Sequence, residues 1–226
     1  MTKYTYLQLV TLTHDIRGIV TILNRELSNC MFDFNTEHTD GRRNSVSDED
    51  VISDHIITKF PNVFRKSEPR ELGDIWFGTY PINIKVVKDR PSQANNLVGT
   101  THFVKYVLND PRCRDHPSIA TSLINTPHDR ILKHYGVIII TKETSRAWVG
   151  NFDEIPEQNI KVNPSNGIQI TWPSGHIKRS NQEYRGLMES KILELMRKWA
   201  EPLKVWEREI ERRANEQRAG TILHDQ

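Results

Sequence analysis

Asp74 and Lys85 lie within a segment reading Gly73-Asp74-Ile75-Trp76-Phe77-Gly78-Thr79-Tyr80-Pro81-Ile82-Asn83-Ile84-Lys85-Val86-Val87, two runs rich in β-branched and aromatic residues separated by the turn formers Gly78 to Pro81. This pattern predicts a β-hairpin that folds Asp74 back beside the second strand. Strand side chains alternate faces, so Ile82, Ile84 and Val86 are expected on the core side, with Asn83 and Lys85 opposite, near Asp74. A carboxylate, an amide and an ammonium then converge. Asp74, the Asn83 amide oxygen and the Ile84 carbonyl are oxygen donors of the kind a hard divalent cation takes, and the Lys85 ammonium suits a charged phosphate or a polarised water. Phosphodiester hydrolysis needs these groups together. The same residues also fit a plain solvated strand face, and the hairpin alone does not separate the two.

The surrounding elements must position these groups. Ile16, Ile19, Val20, Leu23 and Leu27 recur at helical spacing and predict an amphipathic helix from about Thr13 to Ser28, either core or dimer seam. After a polar, Gly-containing stretch from Phe34 to Asn44, Ser47-Asp48-Glu49-Asp50 reads as the capped start of a second helix running to about Phe60. Asp50 and Asp54, at i and i+4, could support a metal site from its acidic face, although first-turn acids ordinarily complement the helix dipole. Lys88 to Asn96 reads as an irregular polar loop, Thr100 to Leu108 as a helix, and the Pro-punctuated stretch from Asp110 to Pro127 as an excursion with a short helix inside it. Tyr135 to Ile140 is a continuous apolar run expected inside a sheet, with Arg146 to Phe152 paired beside it. Asn163-Pro164-Ser165-Asn166-Gly167 is a turn signal before a strand from Ile168 to Trp172. Ser180-Asn181-Gln182-Glu183 opens a long helix as a capping box, and Pro202 should kink or split it.

The 226 residues suffice for one substantial core, without repeat or low-complexity linker. One domain is expected, with residues 1–45 as an N-terminal helix and possible dimerisation arm, 46–150 as the catalytic core, and 151–226 as a turn, strand and C-terminal helices. The 31 basic and 29 acidic residues leave a formal charge of +2, so any nucleic-acid surface must be local. Between His176 and Ala219, eleven Lys or Arg stand against eight Glu, a mildly basic balance that also suits a solvated helix face. Cys30 and Cys113 fit no metal spacing and make no disulfide framework. Lacking a signal-like start and any run of membrane length, the chain is expected to be soluble and cytoplasmic.

The order of parts, an acidic helix, the Asp74 to Lys85 hairpin, a polar loop, a helix, the apolar strand at Val137 to Ile140 and a turn-strand unit before a capped helix, resembles the PD-(D/E)XK type II restriction endonucleases of the EcoRV and HincII branch. The likeness spans residues 45 to 200. Asn163 to Ile170, followed by His176-Ile177-Lys178-Arg179-Ser180-Asn181-Gln182-Glu183-Tyr184, resembles the recognition loop and final helix of the SwaI-like rare cutters in particular. The resemblance implies an α/β fold with a mixed central sheet flanked by helices. Asp74 then matches the first motif acid and Lys85 the motif lysine. Asn83 stands where the family has its second acid, keeping one oxygen ligand but losing a charge. It is either a natural amide or an inactivating substitution. The family reaction is in-line attack of water on the scissile phosphate of double-stranded DNA with Mg²⁺ as cofactor, leaving 5′-phosphate and 3′-hydroxyl ends.

Asn and Gln side chains pair bidentately with adenine, so Asn163, Ser165, Asn166 and Gln169, with Gln93, Asn95 and Asn96 from the loop after the hairpin, are candidates for reading A·T pairs. Asn163 to Gly167 equally has the composition of a plain exposed turn. Arg42, Arg43, Lys88, Arg90, Lys178 and Arg179 are candidate phosphate contacts. A palindromic target implies a homodimer, and the likeness alone implies an eight-base-pair A·T-centred site cut to blunt ends. Two alternatives share the fold: a repair or junction nuclease, and a DNA-binding protein whose site has decayed at Asn83. A metal-dependent phosphohydrolase based on His14-Asp15 or His128-Asp129 lacks the further ligand spacing that would complete a site.

Overall fold

The computed structural model describes residues 16–34, 41–69, 71–88, 95–97, 99–165 and 167–222. The elements run α1 (Ile16–Leu27), α2 (Gly41–Lys59), β1 (Phe64–Lys66), β2 (Ile75–Phe77), β3 (Tyr80–Val87), β4 (Asn95–Asn96), α3 (Thr100–Val107), α4 (His116–Asn125), β5 (Gly136–Thr141), β6 (Ala147–Asn151), β7 (Ile160–Asn163), β8 (Gly167–Ile170) and α5 (Asn181–Ile222). A five-stranded mixed sheet in the order β1-β2-β3-β5-β6 is flanked by helices, and β4-β8-β7 form a smaller antiparallel sheet. All neighbours in the larger sheet are antiparallel except β3 and β5, which run parallel with Ile84 opposite Ile138 and Lys85 opposite Ile139.

The apolar run of β5 is buried on both faces because each face meets a separate core. Ile138 and Ile140 pack with Ile82, Ile84 and Val86 of β3 against Ile19, Leu23 and Leu27 of α1 and Ile52 and Ile56 of α2. Val137 and Ile139 join Val87 on the other face, under Phe103 and Val104 of α3, Leu123 of α4 and Met188 of α5. Each fully buried Ile here contributes roughly 1.5–3 kcal/mol from desolvation. The apolar stripe of α1 is therefore spent on its own sheet. That face is not the dimer seam it resembles in sequence, and residues 13–15 of the expected helix lie outside the described residues.

Four local expectations change. α2 begins at Gly41, so the Ser47 to Asp50 segment lies inside the helix; Asp48 is fully buried and ion-paired with Lys142 just beyond β5, a tertiary contact that holds polar residues in a helix interior. Asn95 and Asn96, expected in an irregular loop, form β4 by pairing with Ile170 and Gln169. β1 and β7 appear where no strand was expected. α5 continues through Pro202 without splitting, proline's fixed φ being compatible with a helix although it forfeits a backbone donor and crowds the preceding turn. Its start is as expected, with the backbone N–H of Ser180 donating to Glu183 at 2.7 Å and Glu183 N–H donating back to Ser180 Oγ at 3.2 Å.

At the far end of α4, the buried Arg185 guanidinium donates to the carbonyls of Leu123, Thr126 and Pro127 at 3.2, 2.6 and 2.5 Å and to Glu189 at 2.8 Å. A cation at a helix C-terminus satisfies carbonyls the helix leaves open and complements its dipole. Among the described residues no helix is long and apolar enough to cross a membrane.

Candidate active site

Asp74 is the last residue before β2, and three hydrogen bonds fix it. Its carbonyl accepts from Ser67 N–H at 3.0 Å, its N–H donates to Ile82 O at 2.9 Å, and its Oδ2 accepts from Ile84 N–H at 2.5 Å. The fully buried Tyr135 hydroxyl holds the approach by donating to Leu72 O at 2.9 Å. Gly73 makes this approach possible, because a Cβ there would stand 2.9 Å from both the N and the O of Ile82. Gly78, at φ +56°, supplies the left-handed residue of the β2–β3 turn.

Alternation along β3 works as the sequence implies. Ile82, Ile84 and Val86 enter the α1–α2 core, which leaves Asn83 and Lys85 on the opposite face. The N–H and C=O of a strand residue point to the same edge, so the Ile84 carbonyl is directed toward Asp74 rather than toward β5. Lys85 Nζ lies 3.0 Å from Glu49 Oε1 of α2, with both side chains only about 15% exposed (16% and 15%). Asn83 is 5% exposed and its Oδ1 is buried without a hydrogen-bond partner. An acceptor buried in that way costs about 1–3 kcal/mol unless a positive group reaches it.

The electrostatics of Asp74 follow from this packing. Burial pushes its carboxyl above the ordinary value of 3.8; the Lys85 ammonium and the Ile84 N–H pull it down, and the charge of Asp50 pushes it up again. The Asp74 carboxylate that burial destabilises, the Glu49 carboxylate on Lys85 and the unpartnered Asn83 amide oxygen are all donors of the kind a hard dication takes. The residues present therefore fit Mg²⁺, with one formal charge fewer than a site with an acid at position 83.

Glu49 escapes a sequence reading because only tertiary docking brings it to Lys85. The nominated Asp50 and Asp54 instead meet Lys66 of β1, at 2.7 and 3.2 Å, and the charge of Asp50 is felt at Asp74. The two adjacent acids Asp48 and Glu49 anchor α2 over the C-terminal halves of β3 and β5, through Lys142 and Lys85 respectively.

The nominated DNA-reading residues separate. Gln169 on β8 donates from Nε2 to Asn96 Oδ1 on β4 at 2.7 Å, and Asn95 pairs with Ile170 through its backbone. Asn163 closes its own turn by accepting from Ser165 N–H at 2.9 Å, the role its Asn-Pro-Ser context also allows. Arg179 is half-buried, and its Nη1 donates to the carbonyls of Asp153 and Ile155 at 2.5 and 2.9 Å, bracing the chain after β6; burial holds its pKa below the ordinary value. Lys178 and Lys88 are exposed. Gln93, Asn166 and Arg90 lie outside the described residues, as do the side chains of Arg42 and Arg43. Compared with protein-family models and with curated proteins, the chain matches none.

Proposed function

We propose that this chain is a Mg²⁺-dependent endodeoxyribonuclease of the type II restriction class, acting as a homodimer on a short palindromic site in double-stranded DNA. The observation that carries the reading is the convergence on β3 of Asp74, held by the Ile84 N–H, and Lys85, held by Glu49, beside the unpartnered oxygen of Asn83. Asp74, Asn83 and the Ile84 carbonyl, with Glu49 nearby, would hold the cation. The chemistry Mg²⁺ supplies when bound is Lewis-acid polarisation of the phosphate and acidification of water.

The protein's own groups do the rest. Glu49 holds the Lys85 ammonium in place, and that ammonium faces the negative charge that grows on the phosphate as water attacks phosphorus and the O3′ bond breaks. The departing O3′ takes a proton, giving 3′-hydroxyl and 5′-phosphate ends. Rigid strands hold Asp74 and Lys85, so little reorganisation accompanies the reaction. Asn83 favours a second reading, a sequence-specific DNA binder with a weakened site, because an amide binds a dication less well than a carboxylate would.

Incubating the protein and its Asn83→Asp and Lys85→Ala variants with genome-sized DNA and Mg²⁺, then sequencing the ends, tests both. Discrete 5′-phosphorylated ends from the wild type or from Asn83→Asp, lost in Lys85→Ala, are expected. Absence of cutting by both, with selective DNA binding retained, would establish the binder instead.

A further inference from the structure

The last turn of α1, the segment that follows it and α2 bring together three side chains of a different chemical character. We propose that Glu26, Cys30 and His55 form a binding site for a borderline transition-metal dication such as Zn²⁺, distinct from the oxygen site at Asp74. Their ligand atoms all lie within 4.8 Å of one another, and among the described residues no other His, Cys, Asp and Glu side chains form such a group. Cys30 Sγ is 3.3 Å from His55 Nε2, His55 Nε2 is 3.6 Å from Glu26 Oε1, and Cys30 Sγ is 4.0 Å from the same oxygen.

Those edges carry the argument. Bonds of about 2.3 Å to sulfur and about 2.1 Å to nitrogen or oxygen, at tetrahedral angles, require edges of roughly 3.4 Å for N···O and about 3.6 Å for the two involving sulfur. Each observed edge is within about 0.4 Å of its tetrahedral value. A thiolate, an imidazole and a carboxylate select a borderline ion over Mg²⁺, which prefers oxygen throughout. Glu26 lies in the last turn of α1, Cys30 three residues beyond its end, and His55 comes from α2 with its ring set edge-on against Phe32, so two of the three donors are held by packed helices. The side chains of His55 and Glu26 remain 31% and 22% exposed, which leaves an approach from solvent. Lys59 Nζ sits 2.9 Å from Glu26 Oε1 and opposes a cation there, but its long, 36% exposed side chain can shift to the other carboxylate oxygen. The Cys30 thiol, whose Sγ donates to Glu26 O at 3.2 Å, releases its proton to solvent as sulfur binds the metal. The bound ion would clamp the end of α1 to the helix that carries Glu49.

Titration of the metal-free full chain with Co²⁺, followed by absorbance, tests this. One equivalent should produce a sulfur-to-cobalt charge-transfer band and the intense visible bands of tetrahedral cobalt, bleached by Zn²⁺ and unaffected by excess Mg²⁺. Cys30→Ser and His55→Ala should weaken binding by more than the roughly 100-fold that loss of an outer-shell partner costs, whereas Cys113→Ser should leave it intact. In the unaltered protein, Zn²⁺ should also slow iodoacetamide labelling of Cys30, as read by peptide mass spectrometry, a measurement that needs no variant to fold. Absence of the charge-transfer band, a band that survives Cys30→Ser, or labelling of Cys30 indifferent to Zn²⁺ overturns the assignment.

Discussion

Gln169 Nε2 donates a 2.7 Å hydrogen bond to Asn96 Oδ1, joining a half-buried side chain to an exposed one across the β4–β8 register. Each amide fixes the other's orientation, and each keeps a further hydrogen-bonding group. Bidentate recognition of adenine needs such an arrangement.

Gln169→Ala is accordingly expected to weaken binding to the preferred DNA sequence by about 1–3 kcal/mol while leaving binding to unrelated DNA unchanged. Fluorescence anisotropy with both DNAs measures the difference. An equal loss on both would reduce the pair to general surface polarity.

Replacing Glu49 by Gln removes the charge that holds Lys85 at 3.0 Å but keeps its length. Cleavage by the active form should fall by about 10²–10³-fold, as for loss of a preorganised electrostatic contact. Single-turnover assays read this directly, and a rate within threefold of the parent excludes Glu49 from the site.

Asp74 links the site to stability. Its folded pKa lies above the ordinary 3.8, so between those two values the folded state binds more protons than the unfolded chain. Stability therefore falls as pH rises through that window and stays lower above it. Without Mg²⁺, Asp74→Asn should melt at a higher temperature than the parent at pH 7, and the gain should vanish below pH 3.8. Calorimetry at several pH values decides; a variant that melts lower at neutral pH contradicts the assigned burial cost.

Arg185→Met should cost about 2–4 kcal/mol, since three carbonyls at the end of α4 lose a charged donor in a buried setting. Urea denaturation gives the value. A loss under about 0.5 kcal/mol would show that water replaces the guanidinium.

The hairpin, the apolar strand β5 and the capping box of α5 were legible in the sequence because alternation, turn chemistry and caps are local properties. Asp74 and Lys85 follow from the same locality. Glu49 does not, because its partner is 36 residues away, and an acid in a helical segment looks the same whether it meets solvent or a buried lysine. Arg179 misleads in the opposite sense: a basic residue before a capped helix looks like a phosphate contact, yet the chain folds back so that two carbonyls claim it. Cys30 and His55 lie 25 residues apart, a separation that no ligand-spacing pattern covers and that helix packing closes to 3.3 Å.

Asn83 and Lys85 belong to the five-stranded sheet, whereas Asn96 and Gln169 belong to the three-stranded one. β3 is hydrogen-bonded on both edges and packed on both faces, so its residues have little latitude to change. The Asn96–Gln169 pair, Asn96 exposed and Gln169 half-buried, sits on separate scaffolding. If the proposed nuclease reading holds, mutational drift can retune that outer pair while the inner groups stay frozen, an anatomy in which selectivity is free to diverge faster than chemistry.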